Sequence, residues 1–331
     1  MQEYVYDVVV LGTGAAGLTA ALRAAADGAQ VGLFEKADTF GGTSAWSGGT
    51  VWLPNNRHEA ELGFSDSREE TLTYLMSLSH GLMEQPLVEA YVDTAPEVAA
   101  WLEDNSPVEF ETLRGMSDYH PEHPGGKQEG RSLECPLFPF AELGDWADRV
   151  TVGWQITGEI TMGESSLGRK APAGVPQEEL DRRKLRDERG AGHALVGRLL
   201  KGCLDRGVHP RARCRGVRLL VDDGRVTGVL IEGPDGRFEA RARGGVVLAT
   251  GGFEHDERLV RTFLRGPLAR GQRTYEHRRW AADGDARWRG PGRHARSLVG
   301  ADHRRGCRGV RPRAVAGQHR TNSSAHDHGQ R

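Results

Sequence analysis

Asp7-Val8-Val9-Val10-Leu11-Gly12-Thr13-Gly14-Ala15-Ala16-Gly17 decides how the rest of this 331-residue chain is read. Val8 to Leu11 form a short apolar run of the kind that fills a parallel strand covered on both faces. Gly12, Gly14 and Gly17 follow in the G-x-G-x-x-G spacing, and Leu18 to Ala26 continue as an Ala-rich stretch of high helix propensity. In such a strand–turn–helix the first glycine permits the tight turn and the second lets backbone approach a pyrophosphate. The third lets the helix pack closely on the strand, with its amino end facing the phosphates. A second strand, Gln30 to Phe34, ends at Glu35, about where an acid binds a ribose hydroxyl. That carboxylate would repel a 2′-phosphate, so NADP is disfavoured and NAD or FAD remain.

Outward from this nucleus, composition sets the class. The length suits about two domains of ~150 residues, and 37% hydrophobic residues can build a core. No run of ~18 apolar residues predicts a membrane span. Met1 to Tyr6 lead straight into a strand, with no signal-peptide pattern. Cys135, Cys203, Cys214 and Cys307 show no C-x-x-C pairing. No metal or disulfide framework is therefore expected, and a cytoplasmic location fits. The net charge of −2 hides a split: residues 269–331 carry 15 Arg and no Lys for a charge of +10, the remainder −12.

After Glu35 and Lys36 comes Phe40-Gly41-Gly42-Thr43-Ser44-Ala45-Trp46-Ser47-Gly48-Gly49, then Val51-Trp52-Leu53-Pro54-Asn55-Asn56. Such a density of small residues allows backbone N–H groups to approach a flat ring, and hydroxyls to bind phosphate or ribityl oxygens. The plain alternative is a surface loop. Residues 66–104 read as helical, with Ser67 capping towards Glu70 and apolar stripes through Leu72, Leu75, Met76 and Leu82, then Val88 to Leu102 interrupted at Pro96. From Ser106 to Pro139 prolines and glycines break the pattern; Tyr119 and Arg131 lie there without a packing signature. His120 and His123 have no third partner at ligand spacing and read as solvated. Residues 168–192 are charged and expected to be mobile, and an amphipathic helix follows from Gly192. Strands Val217–Val221, Val226–Glu232 and Arg237–Ala242 form a β-meander, and Gly245 to Leu248 give a further buried strand ending in glycines.

Together these pieces resemble the fumarate reductase/succinate dehydrogenase flavoprotein superfamily, in particular its 3-ketosteroid Δ1-dehydrogenase branch, over roughly residues 5–268. The resemblance rests on VVVLGTGAAG, FEK, FGGTSAWSGGTVWLPNN, SDYHPEHPGG with GRSLE, GHALVGRLL and GVVLATGG. It implies an α/β, Rossmann-like FAD-binding domain with a parallel sheet and an inserted β-meander. It implies FAD with its pyrophosphate at Gly12, Gly14, Ala15, Ala16 and Gly17 and its adenosine ribose at Glu35, next to Lys36. The isoalloxazine then lies beside Gly42, Thr43, Ser44, Ser47, Gly48 and Gly49, with Ala249 and Gly251 on the same cofactor and the adenine near Arg215. Such enzymes desaturate a C–C bond next to a ketone: a tyrosinate-like base takes the acidified α proton and a hydride passes to the flavin. Tyr119 matches a pocket tyrosine that supports the base, and the partner implied is a steroid or other cyclic ketone.

Residues 269–331 depart from the family: Arg, His, Gly and Ala dominate and apolar periodicity fades, which predicts an irregular, disordered tail. Back-translation supplies a reason. The part before Gly292 can be encoded so that dropping the first base reads TGDGLRMAMRAGAGL. Gly292 to Arg304 allow GDMREAWWAPII in the same way, and Val315 to Gln330 allow LLASTERTRPPTIMVN. All three resemble the family's continuation, in order and in one frame, so a frameshift between Ala269 and Tyr275 is expected. On that reading the FAD domain (1–268) lacks its returning strand, and the chain is an inactive fragment. Two other readings compete. One is a different fumarate-reductase-like flavoprotein. The other is a non-catalytic nucleotide-binding module with a basic nucleic-acid-binding tail, disfavoured because the tail lacks lysine and interleaved aromatics.

Overall fold

The computed structural model describes residues 1–152, 158–253 and 257–263; the tail from 269 onward lies outside them. β1 (Gln2–Leu11), α1 (Ala15–Ala26) and β2 (Val31–Phe34) form the expected strand–turn–helix–strand start, β1 and β2 pairing in parallel. α2 (Gly42–Trp46), β3 (Val51–Trp52) and α3 (Arg57–Glu61) follow. Then come α4 (Arg68–Leu78) and α5 (Gln85–Asn105). Short strands β4 (Glu111–Thr112), β5 (Ser132–Glu134) and β6 (Phe138–Pro139) precede α6 (Gln177–Leu185), β7 (Glu188–Arg189) and α7 (Ala191–Asp205). β8 (Arg215–Asp222), β9 (Arg225–Gly233), β10 (Gly236–Leu248) and α8 (Glu257–Phe263) complete the described elements.

β1 lies inside a five-stranded sheet of order β2-β1-β10-β9-β8. β2, β1 and β10 are parallel, whereas β10, β9 and β8 form an antiparallel meander. The third meander strand and the glycine-ended strand, separate in the sequence reading, are one 13-residue strand. A register shift opposite Tyr6 and Val8 absorbs Arg243 and Gly244, which have no partner residue in β1. One strand thereby ties the meander to the nucleotide end of the sheet.

Val9 and Val10 are fully buried on opposite faces of β1, as a doubly covered strand requires. Val10, Leu18, Leu22 and Leu33 meet Val196, Leu199, Leu200 and Cys203 of α7; Val9, Leu11 and Phe34 meet Val229, Ile231 and Phe238. Burying one such aliphatic side chain contributes about 1.5–3 kcal/mol, so this seam anchors the fold.

Four expectations change. α7 is buried nearly all round rather than amphipathic, because the irregular 106–139 segment supplies acceptors for its polar residues: Arg198 donates to the carbonyls of Pro107 (2.7 Å) and Leu137 (3.2 Å). The charged 168–192 stretch contains α6, in which buried Arg183 bridges Glu164 and Glu179. Pro96 sits within α5 without ending it. Ser67 does cap α4, accepting from Glu70 N at 3.1 Å, but Thr71 and Tyr74 form that helix's buried face and Leu82 beyond it is exposed.

Candidate functional site

Two helix amino ends converge where β1 and β2 finish. Gly12 turns the chain with φ +102°, a conformation that side-chain-bearing residues rarely adopt. A Cβ there would fall well inside 3.0 Å of the Ala249 carbonyl. The N-cap of α1 is Gly14, which has no capping side chain. Helix-starting N–H groups have no intrahelical acceptor: that of Ala15 donates to Ser44 Oγ at 3.0 Å, and those of Ala16 and Gly17 belong to the partial positive pole that a helix offers an anion.

Thr13 joins the parts and was not singled out from sequence. Fully buried, it donates from both N (3.0 Å) and Oγ1 (2.7 Å) to Glu35 Oε2, while Oγ1 accepts from Gly41 N at 3.1 Å. The x of G-x-G thus locks the acid at the end of β2 to the loop that starts α2. A hydroxyl at that position was the available signal. Glu35 is 7% exposed, and its Oε1 accepts from Ala37 N at 3.0 Å, which leaves lone pairs for a ribose hydroxyl.

The remaining expected positions gather around this point. Ser47 Oγ donates to Ser44 O and accepts from Gly49 N at 3.0 Å, and Gly49 packs against the backbone of Ala191 at the start of α7. Gly42, Thr43 and Lys36 are exposed, Gly48 half-buried. Ala249 N donates to Leu11 O at 2.9 Å, and Gly251 follows with φ +78°. Arg215 pairs with Glu232 at 2.7 Å, and Cys214 N beside it donates to Glu35 O at 2.7 Å. The start of β8 therefore reaches the acid end of β2. Tyr119 stands apart, 93% exposed.

Arg131, which carried no packing signature, is 1% exposed. Its Nε and Nη2 donate to the two oxygens of Asp66 (2.7 and 2.6 Å), and Nη1 to Asp118 Oδ2 (2.9 Å). Asp118 Oδ1 accepts from Trp52 Nε1 at 2.6 Å. Trp52 stacks on Tyr91, whose hydroxyl donates to the Trp52 carbonyl. This network fixes the floor of the segment that carries Tyr119. Burial raises the Asp66 pKa, but hydrogen bonds and charge from Arg131 outweigh it and leave the carboxyl below its ordinary value.

Glu59, buried beside this network, is pushed up to about 7 by burial and then by the Asp66 charge. Its folded pKa lies above the ordinary glutamate value of 4.5, so the native state holds an extra proton between those values. Stability therefore falls as pH rises through that window. Glu59→Gln is expected to flatten the loss between about pH 5 and 7.5 in urea midpoints; an unchanged slope would show that Glu59 is not its source.

Comparison with known proteins gives one consistent answer. Residues 7–289 match the family described as FAD binding domain. The chain is 39% identical over 271 residues to 4-oxocyclohexanecarboxylate 2-dehydrogenase of Sinomonas cyclohexanicum, covering 80% of this chain and 46% of that protein. It is 34% identical over 281 residues to 3-oxosteroid 1-dehydrogenase of Mycobacterium tuberculosis, covering 80% and 50%. The crystal structure of 3-ketosteroid delta1-dehydrogenase from Sterolibacterium denitrificans in complex with 1,4-androstadiene-3,17-dione matches with a TM-score of 0.72 at 30% identity, again over 80% and 50%. The chain spans about half the length of the curated relatives it matches.

Proposed function

Because the chain belongs to the FAD binding domain family, we propose that it is the cofactor-holding portion of an FAD-dependent dehydrogenase that desaturates a C–C bond next to a ring ketone. The observation that carries this reading is the junction of the α1 and α2 amino ends, tied to Glu35 through Thr13. Its residues fit an extended dinucleotide. Gly12 and Gly17 allow the close backbone approaches that a Cβ would block, which brings the turn and the amino end of α1 to where a pyrophosphate would lie. Glu35 accepts a ribose hydroxyl, and the start of β8 at Cys214 and Arg215 lies close enough to border the adenine. The backbone and hydroxyls of Gly42, Thr43, Ser44 and Ser47 to Gly49 flank the ring, opposite Ala249 and Gly251. FAD, when bound, supplies the acceptor for a hydride equivalent.

The chain's own part is orientation. Tyr119 is assigned to the substrate side, where it would support by a hydrogen bond a base that the family resemblance places in a separate catalytic domain. Both relatives quoted above are named for dehydrogenation of a ring bearing a ketone, so a cyclic ketone, steroidal or monocyclic, is the proposed substrate class. A soluble setting in the cytoplasm accompanies it; no described helix is long and apolar enough to cross a membrane.

The two-domain division proposed from sequence also bears on activity. Leu248 (51% exposed) and Phe253 leave apolar surface open at the carboxyl end of β10. If residues 269–331 are out of frame, nothing in them matches that surface. The chain as written is then expected to hold FAD weakly, with flavin absorbance lost on gel filtration, and to show no turnover of 3-ketosteroid or 4-oxocyclohexanecarboxylate with an artificial electron acceptor. Restoring the frame at codons 269–275 is expected to recover both. Turnover by the chain as written would overturn the frame reading, and uptake of NAD in place of FAD would overturn the cofactor reading.

A further inference from the structure

The turn that follows Tyr119 gathers a ligand set that the sequence reading left incomplete. His120, Glu122 and His123 each offer one ligand atom, all within 4.8 Å of one another. Glu122 is the third partner the two histidines lacked: His120 Nδ1 lies 3.2 Å from its Oε1, and the two imidazole centroids are 5.5 Å apart.

Backbone and neighbouring elements fix this turn. His123 N donates to His120 O at 3.0 Å, and Gly126 N to His123 O at 2.9 Å. Pro121 and Pro124 restrict φ on either side of Glu122 and His123. His120 N donates to the Tyr74 hydroxyl at 3.3 Å, and Gly125 sits against the Glu70 carbonyl. Helix α4 therefore holds the side chains' starting points.

A hydrogen bond also orients the His123 ring. Ser77 Oγ lies 2.7 Å from Tyr74 O. The same oxygen stands 3.0 Å from His123 Nδ1. With Nδ1 engaged by helix α4, Nε2 is the ring nitrogen left for a ligand. A neutral imidazole, oriented by a hydrogen bond on its other nitrogen, is the state in which histidine binds metals.

We propose that His120, Glu122 and His123 form a surface site for a divalent transition cation of the Zn²⁺ class. Two imidazoles and a carboxylate suit Zn²⁺, Ni²⁺ or Cu²⁺ rather than Mg²⁺ or Ca²⁺, which prefer all-oxygen sets. Ligands about 2.0–2.2 Å from one ion stand closer together than 4.8 Å, and rotation of the exposed His120 and Glu122 side chains supplies the remaining approach. Water fills the other positions. The site does not depend on the flavin reading.

Calorimetric titration of the whole chain with ZnCl₂ tests this. His120→Ala and His123→Ala are each expected to abolish the tightest binding event, and Glu122→Gln to weaken it. Ser77→Ala is the discriminating variant, because it keeps all three ligands and removes only the hydrogen bond that orients His123; a loss of about tenfold is expected. The chain has 13 histidines, and adventitious binding elsewhere would ignore Ser77. Zn²⁺ affinity and stoichiometry unchanged in His120→Ala/His123→Ala, with circular dichroism showing intact fold, would overturn the proposal. Unchanged affinity in Ser77→Ala would do the same for the prepared-ligand argument on which it rests.

Discussion

Arg131→Met is expected to lower the unfolding free energy by about 3–5 kcal/mol, read from urea denaturation. The guanidinium is enclosed with two carboxylates whose side chains are 2% and 1% exposed. Removing it leaves Asp66 and Asp118 to share a dry site without a counter-charge, and an uncompensated buried charge costs far more than a lost surface pair. Methionine keeps much of the apolar contact with Trp52 and Tyr74, over whose rings the guanidinium lies at 5.5 Å, so the loss reads the charge rather than a cavity. Arg131→Lys is expected to recover only part, since an ammonium cannot bind both Asp66 oxygens in the plane of one fork while reaching Asp118. Asp66→Asn added to Arg131→Met should restore some of the loss. In the wild type the Asp66 pKa is held down by Arg131, and its contribution is present above its unfolded value and disappears as pH falls through the folded one. A loss below about 1 kcal/mol would place this network with ordinary surface pairs.

That network shows where sequence reading stops. Arg131 meets Asp66 across 65 residues and Asp118 across 13, and no periodicity marks a charge whose two partners come from separate stretches of chain. Val8 to Gly17 as strand and turn, and the Ser67–Glu70 cap, were legible because each is local: strand burial, a glycine turn and a capping hydroxyl act within a few residues. Thr13 sat inside the motif yet went unnoticed, since its role depends on Glu35 and Gly41 arriving in space. His193 and Arg198 gave α7 a polar look. Burial is tolerated because His193 faces the Thr151 carbonyl at 3.1 Å and Arg198 the Pro107 and Leu137 carbonyls. Irregular segments without strand partners are what leave such acceptors available. Small-residue density singles out the backbone positions of the proposed site from sequence, whereas Tyr119, 93% exposed, has no comparable local signal.

Gly12→Ala and Gly14→Ala are expected to fail in different ways, and the contrast locates the cofactor. At Gly12 the added Cβ brings backbone strain at φ +102° and collision with the Ala249 carbonyl, each about 1–3 kcal/mol. The carbonyl belongs to the rigid end of β10, anchored by Ala249 N to Leu11 O at 2.9 Å, so β1 and β10 must part. Stability and flavin affinity should fall together. Gly14 has φ −65°, and its Cβ would meet Ser44 Oγ at 3.3 Å and, in ordinary contact, Gly41 O at 3.9 Å. A side chain can yield there, so Gly14→Ala should unfold near the wild-type urea midpoint. Its methyl nonetheless occupies the path of a pyrophosphate to the α1 amino end, and a penalty of about 2 kcal/mol would appear as roughly 30-fold weaker FAD binding by flavin fluorescence titration. Gly28→Ala controls for strain alone, with φ +84° and nothing within 4 Å of the new atom. Should Gly14→Ala bind FAD as tightly as Gly28→Ala, the phosphates do not approach this helix, and the assignment of Gly12 to Gly17 as their cradle falls even if the chain still proves to be a flavoprotein.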